Sequence, residues 1–309
     1  MAITAADIKA LRDKTGVGMM ECKKALTEAN GDVEQAIVLL RERGIAAAAK
    51  KASRVAAEGM VFPFLCEKCG VAVLIEVNSE TDFAAKNEKF ADFVKDLAKI
   101  IAKENPADVD ALLKLTYPES GLSVEQELNN KILTIGENIK IRRFVRYGAE
   151  DNCIYSIYNH HNAGKVAVIA KLAVSANLLG NEEVESFGHD ICMGVAANRP
   201  EFVSRDDVPA ERLESEREIL KVQAMNEGKP AAVADKIVNG RLGKFYEEVC
   251  LVDQPYIRDM KISVSSYAND LAKRLGGEIK VVAYTRYECG EGIEKREDNF
   301  AEEVEKMMK

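Results

Sequence analysis

The sequence has no long apolar segment and no leader-like start. Although 47% of its 309 residues are hydrophobic, no stretch approaches the roughly 18 consecutive apolar residues that a membrane-spanning helix needs. The first residues, MAITAADIKALRDK, carry acidic side chains where signal and transit peptides carry almost none. These absences predict a cytoplasmic protein that has no membrane contact.

An excess of basic residues is also missing. Lys and Arg number 43 against 51 Asp and Glu, which gives a formal net charge of -8. Proteins that neutralise a nucleic-acid backbone are normally basic. The charge balance therefore argues against direct binding of nucleic acid.

The motifs of common enzyme classes are absent as well. A phosphate-binding loop requires Gly-x-x-x-x-Gly-Lys-Ser/Thr, but the Gly-Lys pairs at 164–165 and 228–229 are followed by Val166 and Pro230. There is neither an HExxH zinc helix nor a G-x-S-x-G nucleophile turn. We therefore predict no catalytic residues, no resident metal and no cofactor, and we do not expect an enzyme.

The cysteines form no recognisable framework. Seven is an odd number, and in a long chain without a leader it predicts reduced thiols in preference to disulfides. Cys66 and Cys69 form a CxxC pair, but a structural zinc site needs a second pair at comparable spacing and none follows. We favour a β-hairpin turn at EKCG, with zinc binding as the less favoured alternative.

What the sequence does contain begins with the pattern of three short helices. Thr4 and Asp7 have the spacing of a capping box, and Asn30-Gly31 suits the left-handed end of the second helix. An alanine-rich connector, IAAAAKKASRVAAEG, follows and is expected to be a solvated helical bridge. These elements predict a helical unit at 1–54.

Two methionines stand at the start of the second predicted helix. Met19 and Met20 are adjacent, so they cannot both face one core. One of them is expected to be exposed, where a flexible apolar side chain suits contact with a partner. Core packing of Met19 is an equally supported interpretation.

Two similar α+β subdomains are predicted next, at 55–147 and 148–288. VAVLIEV at 71–77 and VAVIAKL at 166–172 are each the second strand of a predicted hairpin, and each precedes a helix. Hairpins make antiparallel sheets, so the predicted fold class is α+β with a core of two repeated subdomains.

The segment at about 199–249 differs in character. It is dense in charge and has a narrow apolar seam at Leu213 and Leu220, which predicts a protruding helical hairpin. The sequence leaves open whether this hairpin forms a homodimer. A C-terminal module is predicted at 289–309, where a helix carries a stripe of three apolar residues: Phe300, Val304 and Met307.

The stretch VNSETDF at 77–83 directly follows a predicted buried strand. Ser79 with Asp82 has the pattern of a helix N-cap, and a helix is predicted from about Thr81 to Lys103. Four apolar residues share one helical face with Phe83: Phe90, Val94, Leu97 and Ile101. Periodicity alone therefore predicts that Phe83 is buried.

Five motifs in order along the chain resemble the bacterial elongation factor Ts family, the guanine-nucleotide exchange factors of elongation factor Tu. They are TGVGMMECKKALTEANGDVEQAI, AAAAKKASRVAAEG, EVNSETDF, IGENIKIRRF and GEGIEK. The resemblance implies an N-terminal domain similar to ubiquitin-associated domains, two α+β core subdomains, a coiled-coil hairpin and a C-terminal helical module. It also implies that the protein binds elongation factor Tu and promotes GDP release in the elongation phase of protein synthesis.

The resemblance assigns roles to individual positions. The tip that enters the partner and dislodges its magnesium ion corresponds to four positions, of which Thr81, Asp82 and Phe83 match the family and the fourth is Ala84. The resemblance thus implies an exposed Phe83, against the periodicity. Ala84 stands where the family usually has valine, which concerns how closely the tip packs.

Further partner contacts are implied outside the tip. Met19, Met20 and Lys23 match the N-terminal contact region of the family. His160 matches a contact histidine, with the neighbouring His161 as the alternative.

Two rival hypotheses come from other classes of protein. One is an adaptor that binds partners through its ubiquitin-associated-like domain without accelerating nucleotide release. The other is a metal-dependent hydrolase that uses Asp82 and His160.

Overall fold

The computed structural model describes residues 3–160, 164–227 and 231–294. This part of the chain contains eleven α-helices and eight β-strands, which form two three-stranded sheets and one two-stranded sheet. The mixture of helices and antiparallel sheets confirms the α+β class. Most of the predicted C-terminal module, with its apolar stripe, lies outside the described residues, and so does His161.

The contacts divide the chain into two compact units. The first comprises Met1–Phe62, Ile75–Phe144 and Glu288–Lys309, and the second comprises Pro63–Leu74 and Val145–Tyr287. Both units join segments that are distant in sequence. The sequential boundaries that we predicted therefore remain predictions.

Three helices open the first unit: α1 (Ala5–Thr15), α2 (Met19–Glu28) and α3 (Val33–Lys51). The predicted capping box is present, with the Asp7 N–H donating to Thr4 Oγ1 and the Thr4 N–H donating to the Asp7 carboxylate. Asn30 and Gly31 form the left-handed turn after α2, with φ of 51° and 89°. Local sequence signals are therefore sufficient to place these helix ends.

The connector is helical as far as Lys51 and much of it is exposed, as expected, but it is not a free bridge. Helix α3 continues through it as far as Lys51 and packs against α7 (Val124–Ile135). Lys51 Nζ donates to the Ile132 carbonyl oxygen at 3.4 Å, and Leu133 packs against the core of the three helices. The N-terminal helices are thus attached along the flank of α7.

A sheet and three further helices complete the described part of the first unit and lead into the second: β1 (Glu58–Cys66), β2 (Val71–Ser79), α4 (Asp82–Ala85), α5 (Glu88–Glu104), α6 (Val109–Lys114) and β3 (Lys140–Tyr147). The strand order is β1-β2-β3, and every residue of β2 is buried. Helix α5 buries a face that includes Phe90, Phe93 and Leu97. The single helix predicted at 81–103 is instead two helices, α4 and α5.

Cys66 and Cys69 form a disulfide across the turn between β1 and β2, with their Cα atoms 5.4 Å apart. The predicted hairpin turn is present, but the expectation of reduced thiols is wrong for this pair. The Cys69 N–H donates to the Cys66 carbonyl oxygen at 3.2 Å, so the turn itself brings the two side chains together. Among the described residues no group of three or more His, Cys, Asp or Glu side chains could hold a metal, which leaves the zinc alternative without support.

A buried carboxylate joins several segments of the first unit. Glu76 is fully buried in β2 and accepts from Arg142 Nη1 at 2.9 Å and Arg143 Nε at 2.6 Å, both on β3. It also accepts from the Gly290 N–H at 2.8 Å and from Asn78 Nδ2 at 3.1 Å. Burial opposes ionisation, but these four donors outweigh it and hold the pKa of Glu76 below its usual value.

The chain around Gly290 packs closely beside this carboxylate. Gly290 has φ of 75°, and a Cβ at this position would lie only 2.0 Å from the Ala57 carbonyl oxygen. Arg142 also donates to the Glu291 carbonyl oxygen. Only glycine therefore allows the chain to approach Glu76 in this way.

The second unit has its own sheets and helices: β4 (Cys153–Asn159), β5 (Val166–Val174), α8 (Glu182–Asn198), α9 (Ala210–Asn226), α10 (Ala231–Val249), β6 (Pro255–Tyr256), β7 (Asp259–Ser263), α11 (Val264–Leu275) and β8 (Ile279–Glu288). The larger sheet has the order β4-β5-β8, and β4 pairs antiparallel with β5 from Cys153↔Ala173 to Asn159↔Ala167. Helices α8 and α11 contribute to one hydrophobic core with this sheet.

Helices α9 and α10 form the predicted helical hairpin. The predicted seam is present, because Leu220 is buried and Leu213 packs against the same small core. This core also includes Leu242 and Phe245 of α10. The opposite face of α9 exposes three apolar residues: Ile219, Val222 and Met225.

The Glu76 cluster generates a prediction for stability. Glu76→Gln removes the charge from a buried site that keeps two arginines, so it should lower the free energy of unfolding at pH 7 by about 3 kcal/mol. Because the folded pKa lies below the ordinary value of 4.5, the contribution is present above pH 4.5 and is lost as the pH falls through the folded pKa. Chemical denaturation from pH 7 to acidic pH measures the difference between variant and wild type.

The exposed Glu278 provides a matched control. Glu278→Gln should leave stability within about 0.5 kcal/mol of wild type at each pH. A Glu76→Gln deficit that stayed constant down to acidic pH would contradict an ionised carboxylate at this position.

Candidate partner-binding site

The tip predicted from the VNSETDF stretch begins where β2 ends. Thr81 is the N-cap of the short helix α4, and its Oγ1 accepts from the Ala84 N–H at 3.2 Å. The N-cap predicted at Ser79 is therefore wrong, although the predicted acidic residue, Asp82, does lie in the first turn of α4. The Ser79 hydroxyl instead donates to the Thr81 carbonyl oxygen at 3.0 Å and braces the turn.

Phe83 is 80% exposed at the surface of α4. The burial predicted from periodicity is wrong because α4 stops at Ala85 and α5 starts afresh at Glu88. Asn87 caps the new helix, with its Oδ1 accepting from the Lys89 N–H at 2.9 Å. The break changes the helical phase, so Phe83 leaves the face that buries the apolar residues of α5.

The remaining tip residues differ in their surroundings. Ala84 is buried, at 5% exposure, and anchors α4 to the rest of the unit. The Asp82 carboxylate is partly exposed and pairs with Lys86 Nζ at 2.7 Å. The same ammonium lies 5.8 Å from the centroid of the Phe83 ring. Sequence reasoning missed Lys86, although its i,i+4 spacing from Asp82 is a signal for such a pair.

Glu137 is a second residue that sequence reasoning missed at the tip. Its carboxylate accepts from the Thr81 N–H at 3.0 Å and from the Thr81 hydroxyl at 2.6 Å. Glu137 lies between α7 and β3, in the IGEN part of a quoted motif. No local spacing links it to Thr81, because the two are 56 residues apart.

The N-terminal candidates lie on the outward side of α2. Met19 and Met20 are 43% and 66% exposed, so both methionines face solvent and not only one. Lys23 is exposed one turn further along. The core face of α2 is formed instead by three small or apolar residues: Cys22, Ala25 and Leu26.

A direct contact links the tip region to the N-terminal helices within the first unit. Lys89 Nζ, six residues after Phe83, donates to the Gly16 carbonyl oxygen at 3.3 Å. Gly16 caps the end of α1, three residues before Met19. The start of α5 and the turn before α2 are therefore neighbours.

His160 follows β4 in the second unit. Its Nδ1 lies 2.9 Å from the Tyr158 hydroxyl, and the ring is exposed. The ring of His189 on α8 meets Tyr158 edge-on at 5.5 Å. Within the described residues, neither His160 nor Asp82 belongs to a cluster that could hold a metal, so the hydrolase hypothesis gains no support.

The position of Phe83 generates a prediction for folding. Because its ring is exposed, Phe83→Ala should change the free energy of unfolding by no more than about 0.5 kcal/mol. Phe90→Ala, at a fully buried position seven residues later, should cost about 3 to 5 kcal/mol. Denaturant titration of both variants measures the contrast, and similar losses for the two would contradict an exposed Phe83.

Comparison with known proteins identifies relatives of the whole chain. The family model described as Elongation factor TS matches residues 80–291. Proteins named "Elongation factor Ts" from Syntrophotalea carbinolica and Clostridioides difficile (strain 630) are 43% and 47% identical over 309 and 307 residues. The alignments cover 100% and 99% of this chain, and the same shares of the relatives.

In the part of the chain that the structure describes, no helix is long and apolar enough to cross a membrane.

A third relative gives the same result. "Elongation factor Ts" of Clostridium perfringens (strain SM101 / Type A) is 46% identical over 305 residues, or 99% of each chain. From the family model and these relatives together, the chain belongs to the elongation factor Ts family and is an elongation factor of protein biosynthesis.

Proposed function

We propose that this protein binds elongation factor Tu and acts as its guanine-nucleotide exchange factor in the cytoplasm. The observation that carries the proposal is Phe83, a large apolar side chain that is 80% exposed on a turn fixed by its neighbours. An aromatic ring held in this way gains nothing for folding. It is suited to enter an apolar pocket of a partner.

The proposed mechanism requires no covalent chemistry. A GTPase holds GDP through backbone donors around the phosphates and through a bridging Mg²⁺. Phe83 acts as a wedge that displaces the element holding the metal. The Asp82 carboxylate, which is partly exposed and pairs with Lys86 at the surface, offers a competing charge once the tip has entered.

Coupling between the two sites is reciprocal. The factor by which this protein weakens GDP binding is also the factor by which GDP weakens binding of this protein. GTP that enters the emptied site then expels the exchange factor. The protein accelerates exchange in both directions, so the ratio of GTP to GDP sets the outcome.

Other surfaces extend the proposed interface. We assign Met19, Met20 and Lys23 of α2 to a docking contact within a ubiquitin-associated-like unit at 1–54, and His160 to a separate contact. Two exposed methionines support the first assignment, since flexible thioether side chains adapt to a partner surface. Such contacts contribute affinity and leave the displacement of the metal to the tip.

The tip generates a prediction for activity. Phe83→Ala should slow stimulated release of fluorescent GDP from elongation factor Tu by about 10 to 100-fold, which corresponds to a loss of about 1 to 3 kcal/mol of coupling. Stopped-flow release measured with saturating protein gives the rate. The exposed Met260 of β7 provides a control, since Met260→Ala removes exposed apolar surface from the second unit and should leave the rate unchanged.

Two results would count against the proposal. A wild-type protein that binds the GTPase without accelerating release would favour the adaptor hypothesis. An unchanged release rate for Phe83→Ala would remove the wedge from the mechanism even if exchange itself occurred.

We also propose that the helical hairpin forms a homodimer contact through the exposed face of α9. Ile219, Val222 and Met225 recur every three residues on that face, and each is about half exposed among the described residues. Val222→Lys should shift sedimentation from dimer to monomer, whereas the exposed Lys221→Gln on the same helix should not. A wild-type monomer at concentrations of about 100 μM would contradict the proposal, because standard-size interfaces bind more tightly than that.

A further inference from the structure

We propose that Glu137 is a positioning residue that fixes the Thr81–Phe83 tip in the orientation needed for entry into the partner. The inference rests on the proposed function, since it concerns how the same tip is held. Glu137 itself makes no contact with the partner. It acts through Thr81.

The Thr81 hydroxyl is the link between Glu137 and the wedge. It donates its proton to Glu137 Oε1 at 2.6 Å and accepts from the Ala84 N–H at 3.2 Å. A hydroxyl that donates to a carboxylate presents its lone pairs elsewhere, here to the first turn of α4. Glu137 therefore sets the orientation of the cap that defines the helix carrying Phe83.

A second acceptor contact fixes the backbone at the same residue. The Thr81 N–H donates to Glu137 Oε2 at 3.0 Å, so both carboxylate oxygens bind one residue. Two-point contact to a planar carboxylate restrains rotation as well as distance. A carboxylate offers an acceptor oxygen to each of these two donors, whereas an amide replaces one of the oxygens with a donor.

Reciprocal contacts hold together the loop after β2, with Glu80 and Thr81, and the loop before β3, with Glu137 and Asn138. The residue before Thr81, Glu80, accepts from the backbone N–H of Asn138 at 2.6 Å. The buried Asn138 side chain in turn donates to the Arg54 carbonyl oxygen at 2.7 Å, and Arg54 Nη1 lies 3.4 Å from Glu80 Oε1. Each loop thus binds the other through two adjacent residues. Arg54, in the connector after α3, contacts both loops.

Rigidity at this point has a functional reason. An exposed ring on a mobile loop would lose conformational freedom on entering a partner, and that loss would reduce the binding energy available to displace the metal. A ring held beforehand avoids it. Phe83 is 80% exposed and has little packing of its own. The contacts of Glu137 with Thr81 must therefore fix the position of its ring.

The first experiment needs no partner protein. The chain contains no tryptophan, so Phe83→Trp introduces a single indole at the tip. Time-resolved fluorescence anisotropy should show little fast local motion in this background, and clearly more when Glu137→Gln is added. Adding Glu125→Gln, an exposed glutamate at the start of α7, should leave the anisotropy decay unchanged.

The second experiment measures GDP release from elongation factor Tu across protein concentrations. Glu137→Gln should lower the maximal stimulated rate by about 10-fold, with the concentration for half-maximal stimulation unchanged, because the docking contacts remain. Thr81→Val should lower the maximal rate by a similar factor. Because both changes break the same contact, the double variant should be no slower than the slower of the two single variants. In the Phe83→Trp background, Thr81→Ser, which keeps the hydroxyl and the N–H, should restrain the indole more than Thr81→Val does.

The two experiments separate the inference from the proposed function. If wild type fails to stimulate release but Glu137→Gln loosens the indole, the positioning role stands and the exchange function falls. If wild type stimulates release and Glu137→Gln matches it in both rate and anisotropy, the inference is overturned. Additive losses in the double variant, or a lower thermal midpoint that alone accounts for the lost rate, would also overturn it.

Discussion

The buried carboxylate of Glu76 is the interaction on which the first unit depends. It stands in a strand whose every residue is buried, where an uncompensated charge would be strongly destabilising. Its four donors come from the same strand, from β3 and from the chain after β8. The ionised group is stable only when all three segments are in place, so it selects one arrangement of β2, β3 and the GEG segment.

That arrangement determines where the tip can be. Thr81 is five residues beyond Glu76 on β2, and Glu137 is five residues before Arg142 on β3. Fixing the two strands through Glu76 and Arg142 therefore brings the loops at their ends into reach of each other. The Glu76 cluster thus fixes the strands, and the Glu137–Thr81 contact fixes the loop that carries the exposed Phe83 ring.

The sequence was most informative where structure depends on near neighbours. The capping box at Thr4 and the left-handed turn at Asn30 follow from residues one to three positions apart. The fold class, the helical hairpin and the family motifs were likewise readable. The exposure of Phe83 followed from the family resemblance but not from periodicity, because one capping residue, Asn87, restarts the helix and changes its phase.

Contacts between distant segments were beyond sequence reasoning. Glu137 reaches Thr81 across 56 residues, and no periodicity links an acid after one helix to a hydroxyl before another. The N-terminal connector was similarly misread, since its alanines suit a solvated helix and a helix packed on α7 equally well. The Cys66–Cys69 disulfide was missed because an odd cysteine count describes the whole chain and says nothing of a single tight turn.

The acidic residues around the tip have different roles, which follow from their exposure. Glu137 and Glu80 face inward and are occupied by donors of the opposite loop, so they hold the backbone. Asp82 faces outward, and its partner Lys86 is 73% exposed on a flexible side chain. A surface pair of this kind contributes little to folding and exchanges partners readily. Removing the inner charge should therefore disorder the tip, whereas removing the outer one should leave the shape of the tip intact and change only the charge at its surface.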